Sequence, residues 1–527
     1  LDALGWRMAG LEARVDGALV ARDLGDRSRA VAELTAAGAA RRGGPAAHRV
    51  QGWYAEALRR DLLGNTRGAQ IALRRGLALL DEYRVSLGAT ELRALSGAQG
   101  AALASEGLRT AVAGGRAGRV LSWAEAWRAG ALRMTPARPP EDSGLADALA
   151  ELRAVTADLE AASTAGRPTA ALRQRQVRGE QRVRELTRRT GGGGAVFKPP
   201  AVGELARALG TSALVEYVDH DGELLAVVVA GGRASLHRLG PAAGALRELR
   251  LLRFALHRLV TLPDHVDRTP VRAGAEHAAR LLQNRLLEPL RRRLDDRPLV
   301  LAPTGLLGGL PWSALPACRG RAVTVVPSAT VWLRAATSEL VSHDRVVLAA
   351  GPRLPAAPTE ITAIASLGPV RPSVLVGGAA TVDAVASAMD GAPLAHVAAH
   401  GSFRADNPLF SALELADGPL TVYDLERLRT PPARVVLSAC DSGLSAVRPG
   451  DELMGFTAAL LGLGTRTLVA PVIPVPAEVT TPLMVDLHRR LGAGHPPAEA
   501  LAGAQEAHRD DGDVAFAASA GFLCFGA

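Results

Sequence analysis

The spacing of hydrophobic positions changes along the chain, and the changes divide it. From Leu1 to about Met134, Ala and Leu recur at intervals of three and four with Arg between them, and short breaks such as Gly64-Asn65 interrupt the pattern; this predicts helical hairpins. Thr135-Pro136-Ala137-Arg138-Pro139-Pro140 cannot continue a helix and marks a boundary. Helical spacing resumes from Ser143 to Arg189, and Gly191 to Gly194 reads as a flexible tether. Beyond it come short apolar runs, Leu214 to Val218, Leu224 to Val229 and Ala234 to Leu239, separated by turn residues Asp219-His220-Asp221-Gly222 and Gly231-Gly232, as in β-hairpins. Arg-rich helices fill 241–293, and Pro298 to Ala302 is strand-like. From Arg345 onward apolar strands alternate with amphipathic helices: strands Val346 to Ala350, Ser373 to Val376, Leu394 to Ala399, Ala433 to Ala439 and Thr465 to Ala470, with helices near 358–367, 381–389 and 451–462.

Strand-helix alternation of this kind predicts an α/β fold, a mainly parallel sheet with flanking helices, preceded by an α-helical region. The expected parts are a repeat-like helical region over 1–135, a basic helical linker region with its Gly tether over 136–195, a first α/β stretch over 196–344 and a second over 345–527. Within the helical region, Trp53, Ala57, Ala69 and Gly76 fall at positions 4, 8, 20 and 27 of a 34-residue tetratricopeptide unit. An ordinary Ala-rich bundle gives the same matches.

Composition narrows the function classes. Hydrophobic residues are 48% and charged residues 22%, and no apolar run is long enough to span a bilayer, so no membrane role is expected. Three cysteines, Cys318, Cys440 and Cys524, are too few and too scattered for a disulfide framework or a paired zinc cluster, which points to a reducing, cytoplasmic setting. The chain starts on Leu1, so a segment before it is expected. Of the 61 basic residues only Lys198 is a lysine, a usage expected of a high-G+C bacterial genome. Lys198 is followed by Pro199 and Pro200, which excludes a P-loop. The net charge of +8 is uneven: residues 345–527 hold 12 Arg against 18 Asp plus Glu, or −6, which leaves +14 for residues 1–344. The arginines between Arg173 and Arg189 suit either a phosphate backbone or a solvated face, and the lack of any aromatic residue between Trp127 and Phe197 argues against nucleic acid.

Reactive groups in open α/β sheets collect beyond the carboxyl ends of parallel strands. Two such ends stand out here: Leu394 to Ala399 runs into His400-Gly401, and Arg434 to Ala439 runs into Cys440-Asp441-Ser442-Gly443. A thiol needs a base or a positive neighbour to become a nucleophile, and a histidine can take its proton and later protonate a leaving amine. The N–H groups of Gly401 and Cys440 are candidates for an oxyanion hole. Cysteines in apolar strands are commonly inert core residues, and the His-Gly counterpart 40 residues upstream is what lifts Cys440 above Cys318 and Cys524. His396 and His400 have the spacing of a helical zinc pair, but they sit in strand sequence, Val397 replaces the glutamate, and no third ligand follows; neither metal nor other cofactor is expected. Gly-x-Ser-x-Gly is absent, and Gly114-Gly115-Arg116-Ala117-Gly118 lies among helices, not after a strand.

These residues carry a resemblance. His396-Val397-Ala398-Ala399-His400-Gly401, Pro408-Leu409, Leu415-Ala416-Asp417-Gly418 and Leu437-Ser438-Ala439-Cys440-Asp441-Ser442-Gly443 resemble the CHAT family, caspase-like domains that commonly accompany tetratricopeptide repeats. Leu310-Pro311-Trp312, Pro327-Ser328-Ala329 and Glu452 to Leu463 extend the likeness over roughly 200–527. The resemblance implies a caspase-hemoglobinase-like fold, a His400–Cys440 dyad, and a cysteine endopeptidase acting on a protein substrate in defence or signalling. It also implies that 196–344 is an inactive partner half like that of separases and that the repeats bind a protein partner or activator. Where the family often has Val-x-Trp-x-Val and then an Asp, this chain reads Val472-Ile473-Pro474-Val475-Pro476-Ala477-Glu478, so the acid is displaced or replaced by Glu478; Val514-Ala515-Phe516 lacks the family's frequent Trp. The alternative is a pseudo-protease scaffold that binds partners and cuts nothing. Around the dyad, between His396 and Gly455, acids outnumber arginines, which predicts a basic residue before the scissile bond, with Asp406 and Asp441 as pocket acids unless both are solvated or bond loop backbone.

Overall fold

Asp26 and Asn65 accept the backbone N–H groups of Arg29 (3.0 Å) and Gly68 (2.8 Å), and these caps set where two helices of the N-terminal region begin. The computed structural model describes residues 6–134, 143–189, 191–338, 345–368, 371–438, 446–448 and 452–527. Two compact units emerge: Leu1–Ala137 with Gly191–Pro199 and Arg448–Glu452, and Arg138–Thr190 with Pro200–Val447 and Leu453–Ala527.

The first unit contains α1 (Arg7–Asp23), α2 (Arg27–Gly38), α3 (Ala46–Leu62), α4 (Thr66–Ser86), α5 (Thr90–Leu95), α6 (Ala101–Ala113) and α7 (Ala117–Trp127). Its helices pack through small residues. A Cβ on Gly76 would meet Leu103 at 2.7 Å and the Trp53 Cβ at 3.2 Å, and one on Gly107 would lie 2.3 Å from the Trp123 ring. Trp53 thus lies against Gly76, and Ala57 and Ala69 are buried. Gly191 to Gly194, expected as a flexible tether, is exposed but held at points: Gly191 bridges Leu87, Arg93 donates to the Gly193 carbonyl at 3.2 Å, and a Cβ on Gly192 would lie 2.3 Å from the Ser86 backbone. Glycine serves close approach there, not only flexibility.

The second unit opens with a helical hairpin, α8 (Ser143–Thr164) and α9 (Ala170–Arg188), then α10 (Val202–Leu209). A β-meander follows, β1 (Ala213–His220), β2 (Glu223–Ala230) and β3 (Arg233–Pro241), antiparallel as the two turn signals predict. Next come α11 (Ala242–Thr261), α12 (Thr269–Leu286), α13 (Arg291–Leu294), β4 (Leu299–Ala302), β5 (Val323–Val325) and α14 (Ala329–Thr337). The second α/β stretch runs β6 (Val346–Ala350), α15 (Ala356–Ala365), β7 (Ser373–Leu375), α16 (Val382–Met389), β8 (Leu394–Ala398), β9 (Gly401–Ser402), β10 (Ala412–Leu415), β11 (Gly418–Thr421), α17 (Val422–Leu425) and β12 (Arg434–Ser438). It ends with β13 (Ala446–Arg448), β14 (Glu452–Met454), α18 (Phe456–Leu463), β15 (Thr467–Pro471), α19 (Ala477–Gly492), α20 (Pro497–His508), α21 (Asp513–Gly521) and β16 (Phe522–Gly526). The helix expected near 451–462 thus begins only at Phe456, after a short strand.

Among the described residues, eleven strands form one sheet in the order β3-β2-β1-β4-β5-β16-β15-β12-β8-β6-β7. Apart from the β1–β2–β3 meander and the β15–β16 pair, the neighbours are parallel, so the fold is α/β with a mainly parallel sheet behind a helical N-terminal region. Helices contact one another in two series, α12–α11–α21–α19–α15 and α10–α14–α18–α17. Val435, Val436 and Leu437 of β12 are all buried, as expected of a strand covered on both faces.

Candidate active site

The order β12-β8-β6-β7 contains a reversal. The chain passes from β6 outward to β7 and then returns to the other side of β6 to form β8, so the carboxyl ends of β6 and β8 flank a topological switch point, where open α/β sheets hold their ligands. At these ends the loops are tightly placed. Gly351, just past β6, donates to the Ala398 carbonyl at 2.8 Å, and a Cβ on it would lie 2.4 Å from the Glu414 carbonyl oxygen and 2.7 Å from the Ala399 Cβ. Arg353, two residues on, has φ +57°, a left-handed conformation that costs a non-glycine residue about 1–2 kcal/mol. It persists where surrounding contacts over-determine it.

His400 lies two residues past β8, held by its backbone and by its ring. Its carbonyl accepts the Glu414 N–H at 2.8 Å, and its Nε2 donates to the Arg353 carbonyl at 3.0 Å. A carbonyl only accepts, so Nε2 carries the hydrogen and neutral His400 keeps its lone pair on Nδ1. Gly401 starts the edge strand β9, paired with Leu413 of β10. Cys440 and Asp441 lie outside the described residues. The strand leading to them is placed, however: β12 runs parallel to β8 with Ser438 opposite Ala398, and Cys440 follows Ser438 by the same two residues by which His400 follows Ala398.

A cleft of about 330 Å³ lies next to Arg353, walled by the α8–α9 hairpin on one side and by the β6 and β8 loops on the other. Its apolar wall includes Leu152, Phe410 and Leu415. Its charged groups are cross-paired: Arg353 meets Glu160 at 2.8 Å and Glu414 at 2.6 Å, while Arg404 meets Glu180 at 2.5 Å and Asp406 at 2.9 Å. Asp406 is exposed outside the cleft lining, and the Arg404 guanidinium holds its carboxyl below the usual range. Arg153 of α8 reaches Asp424 at 3.0 Å, both buried; burial pushes that carboxyl up, while two bonds from Thr421 and the Arg153 charge pull it down. Glu160 and Glu180 had no signal in the sequence, because they reach the site only through the docking of a distant hairpin.

The remaining candidates fall elsewhere. Glu478 is in the first turn of α19. Ile473, in the place of the expected Trp, is buried, and Gly521 makes room for it, since a Cβ there would lie 2.7 Å from its side chain. Cys318 and Cys524 are buried, and burial pushes both thiols up to about 12, far from any nucleophilic thiolate at neutral pH.

Residues 276–526 match the model of the CHAT domain family. Two solved structures of the Saccharomyces cerevisiae separase-securin complex superpose with TM-scores of 0.49 and 0.47 at 9% and 8% identity. Each match covers 91% of this chain but only 40% of the other, so the chain spans well under half the length of those proteins. No curated protein matches the sequence.

Proposed function

We propose, from the premise that the chain carries a CHAT domain over residues 276–526, that it is a cysteine endopeptidase with His400 as base and Cys440 as nucleophile. The observation that carries this reading is the matched register of β8 and β12 together with the Nε2 bond of His400 to Arg353, which leaves Nδ1 as the basic nitrogen of a residue following β8, the strand paired with the one that leads to Cys440. In the reaction, Nδ1 takes the thiol proton and the sulfur attacks the peptide carbonyl carbon, whose oxygen becomes an oxyanion held by the N–H groups of Gly401 and Cys440. As the C–N bond breaks, His400 gives its proton to the departing amine; water, deprotonated by His400, then releases the acyl group and restores the thiol.

The adjoining cleft is the proposed seat of the substrate side chain. Glu160, Glu180, Glu414 and Asp417 outnumber Arg353 and Arg404 along it, which supports a preference for a basic residue; Asp406, already paired, contributes from outside the lining. The region 196–344 is proposed as a partner half without its own dyad, since β4 and β5 run into Ala302-Pro303 and Val325-Val326. The N-terminal helical unit is proposed as a repeat region that binds a protein partner or activator. Buried free thiols at Cys318 and Cys524 support a reducing, cytoplasmic setting, and no described helix is long and apolar enough to cross a membrane.

The test is covalent labelling by peptidyl electrophiles with mapping of the modified residue. Cys440 is expected to react, with Cys318 and Cys524 spared, and Cys440→Ala and His400→Ala should each abolish cleavage in folded protein. Undiminished turnover by Cys440→Ala would refute the chemistry, and a folded protein whose Cys440 never labels would favour a pseudo-protease scaffold.

A further inference from the structure

Strand β8 carries a second histidine that the proposed chemistry does not use. His396 is fully buried, and both of its ring nitrogens are engaged: Nε2 meets Glu360 Oε1 of α15 at 2.9 Å, and Nδ1 meets His488 Nε2 of α19 at 2.9 Å. Glu360 and His488 are themselves buried, and Thr481 donates to the second Glu360 oxygen at 3.4 Å. Buried carboxylates and imidazoles are costly unless hydrogen-bonded, and Glu360 and His488 between them engage both ring nitrogens of His396. The carboxylate only accepts, so His396 Nε2 is a donor, and one hydrogen is shared between the two rings. With that hydrogen on His396 the trio carries no net charge; burial and the His396 charge hold His488 well below the usual histidine range, as befits the accepting ring.

The trio's importance lies in what it fastens. The turn between β6 and α15 presents the Arg353 carbonyl to His400, and it does so in a left-handed conformation that a free turn would relax. At its start the turn is tied to β8 by the Gly351 N–H to the Ala398 carbonyl. Beyond its end, α15 is tied to the same strand by Glu360 to His396. The segment that orients His400 is thus pinned on both sides to the strand that carries His400.

We propose that Glu360, His396 and His488 form a buried positioning relay that fixes the Arg353 carbonyl, and through it the Nε2–H tautomer and orientation of His400; its bearing on turnover rests on His400 being the peptidase base. None of the three touches substrate. Small displacements of a catalytic base cost large factors in rate, so losing the relay lowers turnover rather than binding.

The experiment uses the full chain with ¹⁵N-labelled histidines, the His400 signals being assigned by their loss in His400→Gln. Wild type is expected to show His400 as a single Nε2–H tautomer. Glu360→Ala should mix the tautomers and lower kcat by about tenfold or more with KM within about twofold. Glu360→Gln, whose amide oxygen still accepts from His396, should preserve the tautomer and most of the turnover. A folded Glu360→Ala protein with unchanged His400 signals would overturn the proposal. Should that variant fail to fold, His488→Ala, which leaves the Glu360–His396 bond in place, is read the same way: a smaller shift toward mixed tautomers supports the relay, and unchanged signals overturn it. If wild type cleaves nothing, the peptidase reading fails while the tautomer signal still decides the positioning role.

Discussion

At the scale of single residues, burial decides which titratable groups matter. His488 faces His396, with Glu360 and Thr481 on the far side of that ring, and its pKa is held well below the ordinary 6.5. Between its native and unfolded pKa values the unfolded chain binds a proton that the native chain refuses, so stability rises with pH across that window and falls as pH drops from about 7 toward 5. Urea unfolding is expected to show lower stability at pH 5 than at pH 7, with this ring contributing to the loss. His488→Gln should flatten that slope; an unaltered slope would show that other groups govern it. Cys440, by contrast, is a candidate from the sequence alone, through the strand that precedes it and its His-Gly counterpart.

At the scale of elements, the α8–α9 hairpin is the part whose role the sequence did not announce. The α9 arginines Arg173, Arg175, Arg178, Arg182 and Arg188 are exposed, as the solvated-face reading expects, whereas Arg184 lies half-buried over the Phe410 ring at 5.9 Å and Arg153 of α8 is buried against Asp424. Breaking a buried ion pair from one side leaves a bare charge, at a cost of about 3–5 kcal/mol. Arg153→Ala should therefore loosen the hairpin, and limited proteolysis should find new cuts between 143 and 188 while α1–α4 stay protected. A digestion pattern identical to wild type would place the hairpin's stability elsewhere, for instance in buried Leu145, Leu149 and Val155. Because the same hairpin walls the cleft, loosening it should also weaken any selectivity for basic residues, which a peptide library would register.

At the scale of the whole molecule, the division into units recommends a truncation point. Residues 138–190 group with the α/β unit, and α8 buries its apolar face within it. A chain lacking residues 1–190 should aggregate or lose stability by exposing the surface α8 covers, whereas one lacking residues 1–137 should be better behaved; equal behaviour on size exclusion and thermal unfolding would contradict this. Low basal activity of the full chain that rises on deletion or partner binding would mark the N-terminal helical unit as a control element, and unchanged activity under every partner tried would not. The sequence by itself determined the helical first part, the meander, the strands β6, β8 and β12 to within a residue, and the placement of His400 after a strand end, because hydrophobic period and turn chemistry are local properties. Only the tertiary structure decided the rest. β16 shows no alternation, being buried on both faces, and follows α21 without a turn, yet it sits mid-sheet between β5 and β15. Glu360 and His488 reach His396 across 36 and 92 residues, and Glu180 reaches Arg404 across 224. Such partners are chosen by which faces the folded layers bring together, and no local spacing encodes that choice.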